Sequence, residues 1–234
     1  MPRTPEVELP LPDRCAAGRA LALRLATMDL ADPSVLALPR GGVPVGLEVA
    51  RALGAPLDLL LVRKIGVPLQ RELAVAAVMD GAEPVVVVDE PIRAAVGIRQ
   101  SYIDEQARIE LAEIERRRRA YLGDRAPLPV AGRTAIVVDD GIATGTTVRA
   151  AIKGLRHRHP ARVVLAVPVA PPDTVAQLAS EVDDVVCLAQ PEAFRAIGAF
   201  YADFHQLSDD EVVRALAAAG ASAVTAQERG AGRI

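Results

Sequence analysis

The chain has 234 residues, 51% of them hydrophobic, with a formal net charge of −3 and a pI near 5.7. It is long enough for one globular core, and its acidic balance gives no overall basic field, so we expect no nucleic-acid partner. The two cysteines have no metal-like spacing, and the sequence contains neither an apolar leader nor an apolar run of membrane-spanning length. These features predict a soluble, cytoplasmic protein without disulfides or a zinc site.

The first predicted elements follow an extended, proline-rich arm at residues 1–12. A helix begins after Asp13, which is placed to cap its first turn. SVLALP (34–39) is predicted as a buried strand, VPVGLEVARALG as a helix that Gly54 ends, and LDLLLVRK (57–64) as the next strand. A strand, a glycine turn, a helix and a second strand form the unit that is typical of parallel sheets.

The remaining segments continue this alternation. Residues 65–84 are compatible with a strand pair or a short helix. Further strands are predicted at 84–90, 134–140, 162–170 and 184–189. The terminal helix at 208–219 starts with a capping box, in which Ser208 precedes Glu211 by three residues.

The longest predicted helix covers residues 100–122. Its acidic residues come first and its arginines last, which is the order that the helix dipole favours. Its narrow apolar stripe consists of Ile103, Ala107, Leu111 and Ile114. Two favourable ion pairs one turn apart are predicted, Glu113–Arg117 and Glu115–Arg119. We interpret the arginine run at 116–119 as a solvated helix end and not as a nucleic-acid patch.

Together these elements predict an α/β fold: an open, mostly parallel sheet with helices on both faces, in a single domain over residues 1–234. Ligands of such sheets bind beyond the carboxyl ends of the strands. Three polar segments follow predicted strands, namely PRGG at 39–42, RK at 63–64 and DDGIATGTT at 139–147. These segments are therefore the candidate site.

The stretch IVVDDGIATGTTV (136–148) joins two adjacent carboxylates to a Gly/Thr turn at the start of a helix. A helix N-terminus offers unpaired N–H groups and partial positive charge, and Gly145 lets a phosphate approach the backbone. Carboxylates at a strand end are costly without a polar partner, and the hydroxyls of a sugar are such partners. A ribose 5-phosphate satisfies both halves, with Asp139 and Asp140 on its 2- and 3-hydroxyls. The predicted phosphate ligands are Ala143, Thr144, Gly145, Thr146 and Thr147.

Each segment also has a simpler interpretation. A Gly/Thr turn caps many helices, PRGG is compatible with an ordinary strand-to-helix turn, and RK with a strand end that reaches solvent. The turn is neither a Walker loop nor a Rossmann fingerprint, because it lacks the Gly-Lys-Ser/Thr sequence and the Gly-x-Gly-x-x-Gly spacing.

VVDDGIATGTT resembles the phosphoribosyl-pyrophosphate (PRPP) signature of type I phosphoribosyltransferases, in which an apolar strand, two acidic residues and T-G-x-T follow one another. LPRGG (38–42) is similar to the pyrophosphate loop of that family, and VRK (62–64) to its basic residues after the next strand. The resemblance covers residues 13–215 and includes a bacterial branch of stand-alone domains with an undefined acceptor. It implies the type I fold, with a small C-terminal hood and an inserted long helix. It also implies transfer of ribose 5-phosphate from PRPP to a nitrogenous base, with release of pyrophosphate.

The resemblance further implies roles for individual residues. Asp139 and Asp140 would bind the ribose and favour the positive charge that develops on it, while Mg²⁺ would be held mainly by PRPP and only indirectly by these aspartates. A non-proline cis peptide is expected between Pro39 and Arg40. Pyrophosphate would be bound by Arg40, Gly41, Gly42, Arg63 and Lys64, with Lys64 preferred to Arg63. Catalytic roles would fall to Asp139, Asp140, Lys64 and Arg40.

The acceptor stays open. The 6-oxopurine transferases have a third aspartate where this chain has Ala143. The expected hood covers residues 190–207, where Phe200 and Tyr201 are candidates for stacking on a base, as are Phe194 and Phe204. The same aromatic residues are also compatible with the packing of a small core.

The segment 65–122 is expected to form a mobile cover that excludes water, and its long helix is alternatively a contact in a homodimer. The three histidines, His157, His159 and His205, have no ligand spacing and are interpreted as non-catalytic. Two functions remain: an active transferase, and a module that senses PRPP or a nucleotide without turnover. A different nucleotide-binding enzyme with a Walker-B-like IVVDD strand is disfavoured by the missing Walker loop.

Overall fold

The computed structural model describes residues 7–68, 70–81 and 84–219, so half of the predicted N-terminal arm lies outside it. The helices are α1 (Arg14–Leu25), α2 (Gly42–Leu53), α3 (Glu90–Val96), α4 (Gln100–Leu122), α5 (Thr146–Arg156), α6 (Pro172–Ala179) and α7 (209–219), with a short 3-10 helix at Ile197–Phe200. The strands are β1 (Pro33–Ala37), β2 (Leu57–Leu59), β3 (Val62–Val67), β4 (Gln70–Met79), β5 (Val85–Val88), β6 (Thr134–Val138), β7 (Arg162–Val169) and β8 (Asp184–Ala189).

The main sheet has five parallel strands in the order β2-β1-β6-β7-β8. All five residues of β6 are buried, because helices cover both faces of the sheet. Val137 packs with residues of α5 and α6 on one face, while Ile136 and Val138 pack with residues of α1 and α2 on the other. This alternation follows from the two-residue period of a strand, and it confirms the predicted open parallel sheet with helices on both faces.

The predicted strand over 57–64 is wrong as a single element. β2 ends at Leu59, and β3 belongs to a separate antiparallel sheet with the order β3-β4-β5. The chain leaves the main sheet because the Leu61 N–H donates to the Asp80 carboxylate at 3.2 Å, and the Asp80 N–H donates to the Leu61 carbonyl at 3.1 Å.

Residues 65–84, for which a strand pair or a helix was open, consist mainly of strand. β4 occupies most of this segment, and β5 accounts for the predicted strand at 84–90. Both belong to the antiparallel sheet, so they add no strand to the parallel one.

The long helix α4 has the predicted bounds, and its apolar stripe packs against the antiparallel sheet. Ile103, Ala107 and Ile114 are buried in one cluster with residues of β3 and β4. Both predicted ion pairs form, Arg117 Nε with Glu113 at 2.7 Å and Arg119 Nη2 with Glu115 at 2.9 Å. Because the stripe is covered by its own chain, a homodimer contact through the same stripe would require α4 to leave the sheet.

The arginine run at the end of α4 is not solvated throughout, so that interpretation is wrong for Arg118. Arg116 and Arg119 are exposed, whereas the Arg118 side chain is only 12% exposed. Its guanidinium lies 2.7 Å from Asp80 Oδ2 and 3.1 Å from Asp58 Oδ2, and both carboxylates are buried. One side chain therefore fixes α4 to both sheets.

The two ends of the described chain meet beside the main sheet. The Leu11 N–H donates to the Phe200 carbonyl and the Ala202 N–H donates to the Leu11 carbonyl, both at 2.8 Å. The predicted capping box at the start of α7 forms, because the Glu211 N–H donates to Ser208 Oγ at 3.2 Å and the Ser208 N–H donates to Glu211 at 2.8 Å. In the part of the chain that the structure describes, no helix has both the length and the apolarity needed to cross a membrane.

Candidate active site

The PRGG loop after β1 and the aspartate pair after β6 lie side by side at the carboxyl edge of the main sheet. The Leu38 N–H donates to the Val138 carbonyl at 2.9 Å, which extends the pairing of β1 with β6 into the loops. A Cβ atom on Gly41 would lie 1.9 Å from Asp140 Oδ2, and one on Gly42 would lie 2.6 Å from the Val138 carbonyl. Only glycine allows this approach. The cis peptide expected between Pro39 and Arg40 is present.

Asp139 faces the first of two cavities, which has a volume of about 230 Å³. The cavity is lined by Pro39, Arg63, Ile114, Arg117, Asp139 and Thr147, together with residues of the chain between β2 and β3. Asp139 Oδ1 accepts from the Asp140 N–H at 2.9 Å. Burial, and then the neighbouring Asp140 carboxylate, raise the pKa of Asp139 well above its ordinary value.

Asp140 faces the second cavity, of about 420 Å³, which is also lined by Arg14, Arg40, Gly41, Phe204, Gln206 and Leu207. Asp140 Oδ2 accepts from Arg14 Nε at 2.7 Å, and its main-chain carbonyl accepts from the Tyr201 hydroxyl at 2.6 Å. Burial raises the pKa of Asp140, and the bond to Arg14 opposes that rise.

The prediction that both carboxylates bind one sugar does not match this arrangement, because the two side chains line different cavities. Consecutive residues at the end of a strand point in opposite directions. Asp139 shares its cavity with Thr147 of the Gly/Thr turn, whereas Asp140 is held on the other side by Arg14.

The Gly/Thr turn gives α5 an open N-terminus. Gly145 is the N-cap residue, with a φ of 71° in the left-handed region, and no side chain caps the helix. Thr144 and Thr146 hydroxyls lie 3.1 Å apart, and the Thr174 hydroxyl donates to the Ala143 carbonyl at 3.0 Å, which fixes the turn against α6. Uncapped N–H groups at a helix start are suited to an anion.

The three predicted basic residues occupy different places. Arg40 lines the second cavity and lies 3.7 Å from Asp209 Oδ1 at the start of α7. Arg63 lines the first cavity, where its Nε donates to Glu110 of α4 at 2.6 Å. Lys64 is not among the residues that line either cavity, since adjacent residues of β3 point to opposite faces. The geometry thus favours Arg63 over Lys64, the reverse of the preference from sequence.

The aromatic residues of the predicted hood mainly pack against one another. Tyr201 is 5% exposed and its ring lies 5.0 Å from that of Phe204, so it is not available to stack on a base. Phe200 lies 5.0 Å from Phe194. All four belong to one cluster with Leu11 and Val169, and Phe204 also lines the second cavity.

Two arginines at these cavities were not identified from the sequence. Arg117 reaches the first cavity from α4, and only its pairing with Glu113 could be predicted. Arg14 reaches the second cavity from the first turn of α1. Its partner Asp140 is 126 residues away, so no local pattern distinguishes this arginine from the many on the surface.

Replacing Tyr201 with phenylalanine is expected to lower the free energy of unfolding by about 1–2 kcal/mol, because the buried Asp140 carbonyl loses its donor. The measurement is urea unfolding followed by circular dichroism. Tyr102→Phe is a matched control, since its hydroxyl donates to the Gly66 carbonyl at 3.0 Å, away from both cavities. A loss below about 0.3 kcal/mol for Tyr201→Phe would show that water replaces the hydroxyl.

A parallel α/β sheet with an acidic turn, a glycine loop and an uncapped helix at one edge defines a domain of the class that binds phosphorylated sugars or nucleotides. The phosphoribosyl transferase domain model matches residues 14–205, and the chain belongs to that family. This membership confirms the resemblance found in the signature after β6.

Two comparisons place the chain among its relatives. It is 48% identical over 201 residues to a Mycobacterium tuberculosis protein that is provisionally named a phosphoribosyl transferase. The match covers 86% of this chain and 45% of that relative, so the chain spans less than half of the relative's length. The crystal structure of TT1426 from Thermus thermophilus has 42% identity and a TM-score of 0.78, covering 87% of this chain and 96% of that one.

Proposed function

We propose that this chain transfers ribose 5-phosphate from PRPP to a nitrogenous base and releases pyrophosphate. One observation carries the proposal: Asp139 and Thr147 line the same cavity, between the PRGG loop and α4. A carboxylate for sugar hydroxyls and an open helix N-terminus for a phosphate thereby lie within reach of one small ligand. Family membership supports the reaction class.

In the proposed reaction the bond from ribose C1 to the pyrophosphate oxygen breaks, and a bond from C1 to the acceptor nitrogen forms. The electron pair leaves with pyrophosphate, and the acceptor loses its N–H proton. The N-terminus of α5 would hold the 5-phosphate, and Asp139 would bind the ribose and stabilise its developing positive charge. Arg63 and Arg117 would supply counter-charge for the leaving group on the side of α4.

Magnesium fits the donor set of the first cavity. Asp139 is a carboxylate with a raised pKa whose charge a cation would stabilise. Among the described residues no cluster of three or more His, Cys, Asp or Glu side chains could hold a metal by itself, which agrees with an ion that PRPP carries and Asp139 and Asp140 contact indirectly. When bound, Mg²⁺ would neutralise phosphate charge.

The second candidate function is a module that senses PRPP or a nucleotide without turnover. The buried Tyr201 ring favours it, because that predicted stacking face for a base is occupied by packing. A homodimer and a cytoplasmic location remain predictions, and so does a mobile cover. α4 lines the first cavity with Ile114 and Arg117, where a cover would have to lie.

The test is PRPP binding by calorimetry with Mg²⁺, followed by pyrophosphate release with adenine, hypoxanthine, guanine, uracil, orotate and nicotinate as acceptors. We expect binding, and release with at least one base. Binding without release from any acceptor would support the sensor instead. No binding of PRPP would contradict both functions.

A further inference from the structure

Arg14 is a buried arginine outside the segments that carry the family resemblance in the active site. Its side chain is 9% exposed, and its Nε donates to Asp140 Oδ2 at 2.7 Å. Its Nη1 donates to the His205 carbonyl at 3.0 Å, and its guanidinium carbon lies 3.9 Å from the centre of the Phe204 ring. Two hydrogen bonds and a stacked ring fix both the position and the plane of the guanidinium.

The same carboxylate is confined from its other sides. Gly41 lies so close to Asp140 Oδ2 that no Cβ could be accommodated, and the Tyr201 hydroxyl holds the main-chain carbonyl of Asp140. The aspartate is thus enclosed by α1, the PRGG loop and the segment at 201–205. Such confinement keeps a carboxylate in one orientation, which is the requirement for electrostatic stabilisation of a transition state.

Arg14 also separates the duties of the two adjacent aspartates. Asp139 faces the cavity that contains Thr147, whereas Asp140 borders the cavity with Arg40, Phe204 and Gln206. The salt bridge occupies Oδ2 of Asp140 and has no counterpart at Asp139 among the described residues, where Oδ1 accepts a neighbouring main-chain N–H.

We propose that Arg14 is a positioning residue of the transfer reaction, which acts by holding the Asp140 carboxylate between the PRGG loop and the second cavity. This inference rests on the proposed function. Arg14 touches neither PRPP nor the reacting atoms in this arrangement. Its removal therefore reduces turnover through Asp140 and leaves the binding of PRPP in the first cavity nearly unchanged.

The test is a double-mutant cycle on pyrophosphate release from PRPP with the six acceptors named above. Arg14→Ala is expected to lower release by about 10- to 100-fold, and to lower it by less than about 3-fold further when Asp140→Asn is already present. PRPP affinity should change less than about 3-fold, since Arg14 lies outside the first cavity. Arg14→Lys should recover part of the release because it keeps the charge, and Arg14→Gln should recover less.

Arg19→Ala is the matched control on the same helix, because the Arg19 side chain is 60% exposed and lies 3.8 Å from Glu48. If Arg14→Ala does not fold, Arg14→Gln takes its place in the cycle. Additive losses in the cycle, or an equal loss of PRPP affinity, would overturn the inference and leave the proposed function intact. If the wild type releases no pyrophosphate with any of the six acceptors, the proposed function fails and the inference fails with it.

Discussion

Replacing Asp139 with asparagine is expected to lower PRPP-dependent pyrophosphate release by about 100- to 1,000-fold, while the protein becomes more resistant to heat. The loss of turnover follows from removing the charge that would stabilise the positive ribose, an effect comparable to losing one preorganised group of an active site. The asparagine keeps the shape of the side chain and can still accept the Asp140 N–H. Any loss of turnover therefore reports the charge.

The gain in thermal stability follows from the pKa of Asp139. Burial and the adjacent Asp140 raise this pKa in the folded state above the ordinary value of 3.8. An acid with a raised folded pKa disfavours folding once it is ionised, so stability falls as the pH rises from the unfolded pKa to the folded pKa. The asparagine side chain carries no charge, and the difference from the wild type should be largest near neutral pH and disappear below about pH 4.

The measurements are steady-state pyrophosphate release and thermal unfolding, both at several pH values. Asp140→Asn is the informative comparison, because it also abolishes a carboxylate but leaves the Arg14 guanidinium buried without its partner. We expect this variant to lose turnover while it stays folded, and to gain less stability than Asp139→Asn. If Asp139→Asn melts at a lower temperature than the wild type near neutral pH, the carboxylate is a structural element and not a functional one.

Replacing Arg118 with alanine is expected to lower the free energy of unfolding by about 3–5 kcal/mol. The Asp58 and Asp80 side chains are 4% and 5% exposed, and Arg118 lies within 3.1 Å of both. Without it, Asp80 keeps the Leu61 N–H and a distant Arg158 Nη2 at 3.8 Å. A buried charge that loses its close partner retains its desolvation penalty.

Denaturant unfolding of Arg118→Ala measures this loss, and Arg119→Ala is the control. Arg119 follows directly on the same helix, and both it and its partner Glu115 are 71% exposed, so its removal should cost less than about 0.5 kcal/mol. Adding Asp80→Asn to Arg118→Ala should restore part of the stability, since it removes the unpaired charge. Equal, small losses for the two arginine variants would show that water reaches the network.

The pH dependence supplies a further check on this network. Burial raises the pKa of Asp80 in the folded protein although Arg118 opposes the rise. Losing Arg118 removes that opposition, so the folded pKa rises further. The penalty of Arg118→Ala should therefore be largest above the folded pKa and should shrink as the pH falls and Asp80 becomes protonated.

The sequence by itself determined the features that depend on neighbouring residues. The parallel sheet follows from short apolar runs that alternate with helices, the bounds of α4 from its periodicity, and the caps at Asp13 and Ser208 from the chemistry of a helix start. The acidic turn after β6 and the glycine loop after β1 could be placed at one sheet edge, because parallel strands end together.

Tertiary structure alone decided which side chains meet. Arg14 lies 126 residues from Asp140 and 191 from His205, and Arg118 lies 60 from Asp58. The end of β2 at Leu59 depends on Asp80 across the fold. A periodic pattern reports only whether a residue faces the core or the solvent, whereas the pairing of buried charges depends on where distant segments pack. For that reason the sequence located the site at the sheet edge, and only the folded chain showed that its two aspartates face different cavities.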